Sequence, residues 1–171
     1  MQISIASIFL SVLLAGVDAS PARRATCSPR ILGTNISITN GPLEAGFSST
    51  ASTLVSQPLS QTIPEFAVAA SNAAGEFSLL KVTNKALALT NAGNLPFMAP
   101  IPSPDVRMQN WAVQCSSCVT SGRLVGEGCE VISQFDGRCL NISLSTTTPV
   151  GSPVTLGNCQ AVGSSINIYV A

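Results

Sequence analysis

Apolar and polar positions alternate with a period of two along much of this chain. Asn35-Ile36-Ser37-Ile38-Thr39-Asn40, Ala86-Leu87-Ala88-Leu89-Thr90-Asn91 and Asn141-Ile142-Ser143-Leu144-Ser145-Thr146 each set an apolar side chain at every second residue. That is the pattern of a strand with one face in a core. Pro, Gly, Asn, Ser and Thr interrupt the chain every few residues, so no stretch keeps a helical period. The runs begin at residues 35, 86 and 141, a spacing that marks an internal repeat.

Two further landmarks follow each run. One is a short apolar strand: Leu54-Val55, Leu95 to Met98, and Val154-Thr155-Leu156. The other ends each unit with an aromatic and an aliphatic stretch, at Phe66-Ala67-Val68, Trp111-Ala112-Val113 and Tyr169-Val170. The chain therefore divides into units of roughly 25–70, 71–114 and 115–171. Phe66, Trp111 and Tyr169 are expected to be core anchors. Three imperfect repeats of short strands favour a closed, three-fold β architecture. Closure also removes the sheet edges that so weakly charged a chain would leave unguarded.

Ile3 to Leu14 is apolar, too short to span a bilayer comfortably, and is followed by the small-x-small sequence Val17-Asp18-Ala19. Residues 1–19 read as a signal peptide. Residues 20–24 read as a pro-segment ending in the dibasic pair Arg23-Arg24, which leaves 25–171 as the mature, extracellular domain. The net charge is zero and no basic run exists, which argues against a nucleic-acid partner. The chain has no His, which removes Ser-His-Asp and Cys-His catalysis and His-ligated zinc. Six Cys, at 27, 115, 118, 129, 139 and 159, read as disulfides in a secreted chain. Cys115-Ser-Ser-Cys118 has redox or zinc spacing, but export to an oxidising compartment favours disulfides, and no metal or other cofactor is expected.

Gln109-Asn110-Trp111 matches the Q-x-W motif of ricin-B-type lectins. The last repeat adds Asp136-Gly137-Arg138-Cys139-Leu140-Asn141, Val154-Thr155-Leu156-Gly157-Asn158-Cys159 and Asn167-Ile168-Tyr169. The chain thus resembles the ricin-B-type β-trefoil lectin family, in particular its secreted single-domain fungal members. The resemblance implies an all-β fold: a β-trefoil of three imperfect repeats, disulfide-stapled in its C-terminal third. It implies a Cys139–Cys159 pair, whose loop contributes about 3 kcal/mol in the chain-entropy model. Cys129 then has Cys115 or Cys118 as its partner, and Cys27 takes whichever remains.

The same resemblance implies carbohydrate binding through Asp136, Asn141, Asn158 and Asn167, with Phe66, Gln109, Trp111 and Tyr169 as fold-motif positions. The chain departs from the family at the sugar-binding Asp, where Asn141, Ala86 and Asn35 stand. It departs again at the stacking aromatic, which is Gly157 here. Asn35 and Asn141 also head N-glycosylation sequons. No pair of carboxylates is singled out by spacing, so the protein is expected not to be an enzyme. The expected partners are extracellular glycans or a secreted protein target. In the second case, exposure of Phe97-Met98 on a loop spanning 90–105 would supply the anchor, with residues 116–128 as a second candidate loop. The remaining alternative is a secreted effector or structural protein without a small ligand.

Overall fold

A computed structural model describes residues 26–48, 52–60, 65–103, 105–144, 150–161 and 163–171. The signal and pro-segment readings lie outside these residues. Among them the chain forms twelve strands and one 3-10 turn, Val106–Gln109. The first unit holds β1 (Asn35–Asn40), β2 (Leu43–Phe47), β3 (Leu54–Pro58) and β4 (Phe66–Ala70). The second holds β5 (Phe77–Lys81), β6 (Asn84–Thr90), β7 (Phe97–Pro100) and β8 (Trp111–Cys118). The third holds β9 (Leu124–Ser133), β10 (Cys139–Asn141), β11 (Thr155–Gly157) and β12 (Ile166–Val170).

Six strands close a barrel. Going round it, β1 pairs with β4, β4 with β5, β5 with β8, β8 with β9, β9 with β12, and β12 with β1, each pair antiparallel. The remaining strands form the hairpins β2–β3, β6–β7 and β10–β11. These hairpins meet as a cap. Met98 and Val154 donate N–H groups to Ser52 and Leu54, and Leu156 donates to Asn94. A six-stranded barrel with three capping hairpins is a β-trefoil.

The core repeats with the same symmetry. Ile38, Leu79 and Val131 occupy matching first-strand positions and are fully buried, opposite Ile168, Val68 and Val113. Phe66, Trp111 and Ile166 open the fourth strands, all at most 1% exposed. The Trp111 indole N–H donates to the Leu89 carbonyl at 2.9 Å. Gln109, also buried, donates from its amide to Thr90 Oγ1 and the Pro100 carbonyl and accepts from the Ser103 N–H. The Q-x-W motif therefore locks the second unit together.

Three expectations are corrected. Tyr169 is not a core anchor. In Ile166-Asn167-Ile168-Tyr169-Val170 the alternation sends Ile166 and Ile168 inward and leaves Tyr169 half-exposed on the outer face. The first alternating run is β1, whereas the second falls on β6, a second strand, and the third starts only at the last residue of β10, so they are not equivalent positions. The intervening β2, with Gly46 inside it, hid that offset. Finally, Phe97 is not on a loop; Phe97-Met98 packs inward, the alternative to exposure. Phe97 lies half-buried in β7, in register with Thr90, and Met98 behind it is buried. Residues 116–128 are likewise mostly strand, as parts of β8 and β9.

The disulfides are Cys27–Cys118, Cys115–Cys129 and Cys139–Cys159, with no free Cys. Cys115 and Cys129 face each other in register across β8 and β9. Gly126 lies beside them: a Cβ there would sit 2.6 Å from both sulfurs. Gly126→Ala should therefore destabilise the fold by about 1–3 kcal/mol through overpacking. Urea unfolding with the disulfides intact measures this, and an unchanged midpoint would mean that the sulfurs yield without strain.

Candidate functional site

Of the residues expected to bind sugar, Asp136, Asn158 and Asn167 are engaged in hydrogen bonds within the fold. Asp136, in the turn after β9, pairs with Arg138 at 2.7 Å and accepts from the Asn91 amide at 2.8 Å. Arg138 also donates to Asn94 Oδ1 and the Gly93 carbonyl, both at 2.8 Å, which ties this turn to the loop after β6. Burial alone would raise the Asp136 carboxyl. The hydrogen bonds from Arg138 and Asn91, with the Arg138 charge, outweigh it and hold the group below its ordinary range.

Asn141 is half-buried on β10, its Oδ1 over Gly163, where a Cβ would lie 2.2 Å away. Gly163 has φ +101, a left-handed backbone suited to glycine. Asn158 is exposed and accepts from the Gln160 N–H at 3.0 Å. Asn167 lies on the barrel strand β12, where its Oδ1 accepts from the Gly128 N–H. Asp136, Asn141 and Asn158 thus belong to the third hairpin and its flanking turns, and Asn167 does not join them. Of the two sequon residues, Asn35 is exposed at the start of β1.

A cleft forms elsewhere. Ser37 on β1, Leu59 and Ser60 after β3, Arg123 before β9, and Tyr169, Val170 and Ala171 at the chain's end line a hollow of about 140 Å³. Backbone pairing positions each wall. Ser37 lies in register with Tyr169. The Val170 N–H donates to the Arg123 carbonyl at 2.7 Å, and the Ala171 N–H to Asn35 at 3.1 Å. Trefoil symmetry gives this position two counterparts. Ala69 opposite Ser78 is one, and Gln114 opposite Glu130 is the other. Of the three, the cleft at Tyr169 alone has an aromatic side chain.

Behind the cleft lies a carboxyl cluster that sequence spacing did not reveal. Glu44, on β2, is fully buried. Its Oε1 accepts from the Ser60 N–H at 3.0 Å and from the Gln57 amide at 3.3 Å, and the same amide donates to Glu65. Glu44 Oε2 has no well-formed hydrogen bond among the described residues. Gln57 fits here only because residue 46 is glycine: a Cβ at Gly46 would lie 2.0 Å from the Gln57 side chain. Burial pushes the Glu44 carboxyl above its ordinary range, against the opposing pull of Ser60, Gln57 and Ser37, and the Glu65 charge adds to the rise. Burial raises Glu65 as well, opposed by Gln57 and Lys81. The available signal was a lone acid in the otherwise apolar Leu43-Glu44-Ala45-Gly46-Phe47.

No protein-family model matches the chain, and no curated protein matches it in sequence. Solved structures do match. The designed three-fold symmetric protein ThreeFoil is 9% identical at a TM-score of 0.56, covering 80% of this chain and 97% of its own. The cytolethal distending toxin of Actinobacillus actinomycetemcomitans is 16% identical at 0.57, covering 84% of this chain and 94% of its own. The Polyporus squamosus lectin, bound to the human-type influenza-binding epitope Neu5Aca2-6Galb1-4GlcNAc, is 12% identical at 0.55 and covers 80% of this chain. This chain spans about half of that lectin's length, 49%. At such identities the likeness shows the fold alone.

Glu44 and Glu65 bind their protons more tightly in the folded protein than in the unfolded chain. The stability they contribute is fully present below the ordinary carboxyl range, about pH 4. It is lost as the pH rises through their raised folded values. Asp136, held low, works the other way and loses its contribution only as the pH falls through its folded value. The melting temperature should therefore decline from mildly acidic to neutral pH, and Glu44→Gln should flatten the decline. Thermal melts between about pH 4.5 and 7.5 measure it. Parallel profiles for the two proteins would exclude Glu44 as the responsible group.

Proposed function

We propose that this chain is a secreted, lectin-like carbohydrate-binding protein that acts by recognition, not catalysis, with the Tyr169 cleft as its site. One observation carries the reading. Tyr169 stands half-exposed beside Ser37, Ser60 and Arg123, at one of three equivalent positions of a trefoil. A few convergent polar groups around an aromatic wall are what a small polyhydroxylated ligand requires. The ring packs against the ligand's C–H face while the hydroxyls and the guanidinium bond its oxygens. Such a site does not depend on Asp136 or Asn158, which are held in local bonds, or on Asn141, which packs over Gly163.

Three disulfides suit an extracellular setting. Among the described residues no helix is long and apolar enough to cross a membrane. A non-catalytic role accords with carboxyls that are engaged internally: Asp105 and Asp136 by arginines, Glu44 and Glu65 by Gln57. The protein-binding alternative had Phe97-Met98 and residues 116–128 as its candidate anchors; Phe97 is half-buried in a strand and Met98 is buried, which gives that reading less support.

The test is a broad glycan array probed with protein recovered from the medium of a secretory host, with free sugar as competitor. Specific, competable binding that Tyr169→Ala lowers at least about tenfold is expected, the scale of a lost aromatic contact and its burial. A silent array with folded protein, or binding indifferent to Tyr169, would remove this reading.

A further inference from the structure

We infer that the Tyr169 cleft selects saccharides that carry a carboxylate, with Arg123 as the selecting group; this rests on the carbohydrate reading above. The cation is available. Arg107 and Arg138 are held in ion pairs by Asp105 and Asp136, and Lys81 lies over the Phe47 ring at 4.6 Å. Among the described residues the Arg123 guanidinium is in no ion pair, although its backbone carbonyl is pinned by the Val170 N–H. Its side chain is exposed at the cleft wall. A planar guanidinium fork matches a carboxylate through two parallel hydrogen bonds, a geometry that neutral sugar hydroxyls do not offer.

The rest of the cleft complements a sugar ring joined to that carboxylate. Tyr169 supplies a face, and Ser37 and Ser60 line the same hollow. The acidic side chains nearby do not pair with the cation. Glu44 is fully buried behind Ser37 and Ser60, and Glu65 lies beyond Gln57 and near Lys81.

Trefoil symmetry supplies an internal control. The matching groove of the second unit is lined by Ala69, Ala70, Ser78, Leu80, Ile101 and Val106, among others, with neither a cation nor an aromatic ring. Cleft shape recurs there without the acid-recognising groups. Acid selectivity is therefore a property of the Tyr169 position and not of the fold.

The experiment is an NMR titration of the isotope-labelled full protein with methyl glucuronide, methyl glucoside and methyl glucoside 6-sulfate. The glucuronide should bind about tenfold more tightly than the glucoside, the scale of a charge-assisted hydrogen bond. Its shifts should centre on Ser37, Ser60, Arg123 and Tyr169. In Arg123→Ala the glucuronide and the glucoside should bind equally, the roughly tenfold preference being lost. Arg123→Lys should recover only part of the difference, since it restores charge without the fork. Arg123 is exposed on a turn, and thermal melts of both variants check the fold. Equal binding of glucuronide and glucoside in this cleft would overturn the acid selectivity and leave the carbohydrate reading standing. Preference for the sulfate over the glucuronide would overturn the carboxylate in favour of another oxyanion. No binding of any of the three would overturn both readings.

Discussion

The barrel closes only because the last strand pairs with the first. Four residues of β1, Ile36 to Thr39, lie in register with Val170 to Asn167 of β12. Without that pairing, β1 and β12 would each present a row of unpaired N–H and C=O groups, on a chain with few charges to guard an edge. The pairing also brings the two ends of the core together. It sets Ile38 against Ile168 on the inside and Ser37 against Tyr169 on the outside. The cleft is thus a by-product of closure, since its two walls meet only when the ring is complete.

The same constraint explains why an acid can sit at full depth on the outer side of β1. β2 leaves β1 at a tight turn and packs its Glu44 beside Ser37. β3 answers with Gln57 in register, and the chain beyond β3 returns with the Ser60 N–H. Each partner reaches Glu44 through backbone register. The arrangement is therefore as rigid as the hairpin, although it joins residues from four segments. A trefoil offers three such places, and this chain has filled them differently: Tyr169 with Ser37, Ala69 with Ser78, and Gln114 with Glu130.

Much of the architecture was legible, because short alternating strands carry their own signature. The missed strands show the limits. β5 contains the adjacent pair Leu79-Leu80, which breaks the alternation, and β9 contains Gly126 and Gly128. In both, barrel pairing overrides local pattern. The orientation of Tyr169 was legible in principle, from the inward pair Ile166 and Ile168. Matching it to Phe66 and Trp111 by aromatic character, rather than by strand position, concealed it. The cluster around Glu44 was not legible, because it arises from register between strands and no motif records register. The same holds for the pairing of Cys27 with Cys118, across 91 residues.

The disulfides also decide which backbone breaks the molecule could survive. Cys27–Cys118 and Cys115–Cys129 overlap in sequence, so a protease cut anywhere from residue 28 to 128 leaves the two pieces joined through sulfur. A cut between Cys139 and Cys159 does the same. Between these covalent loops lies one unspanned stretch, Glu130 to Arg138. Its turn is the one gripped by Arg138, Asp136 and Asn91. Where no bridge can hold a nicked chain together, an ion pair and a web of amides close off the turn that a protease would need to open.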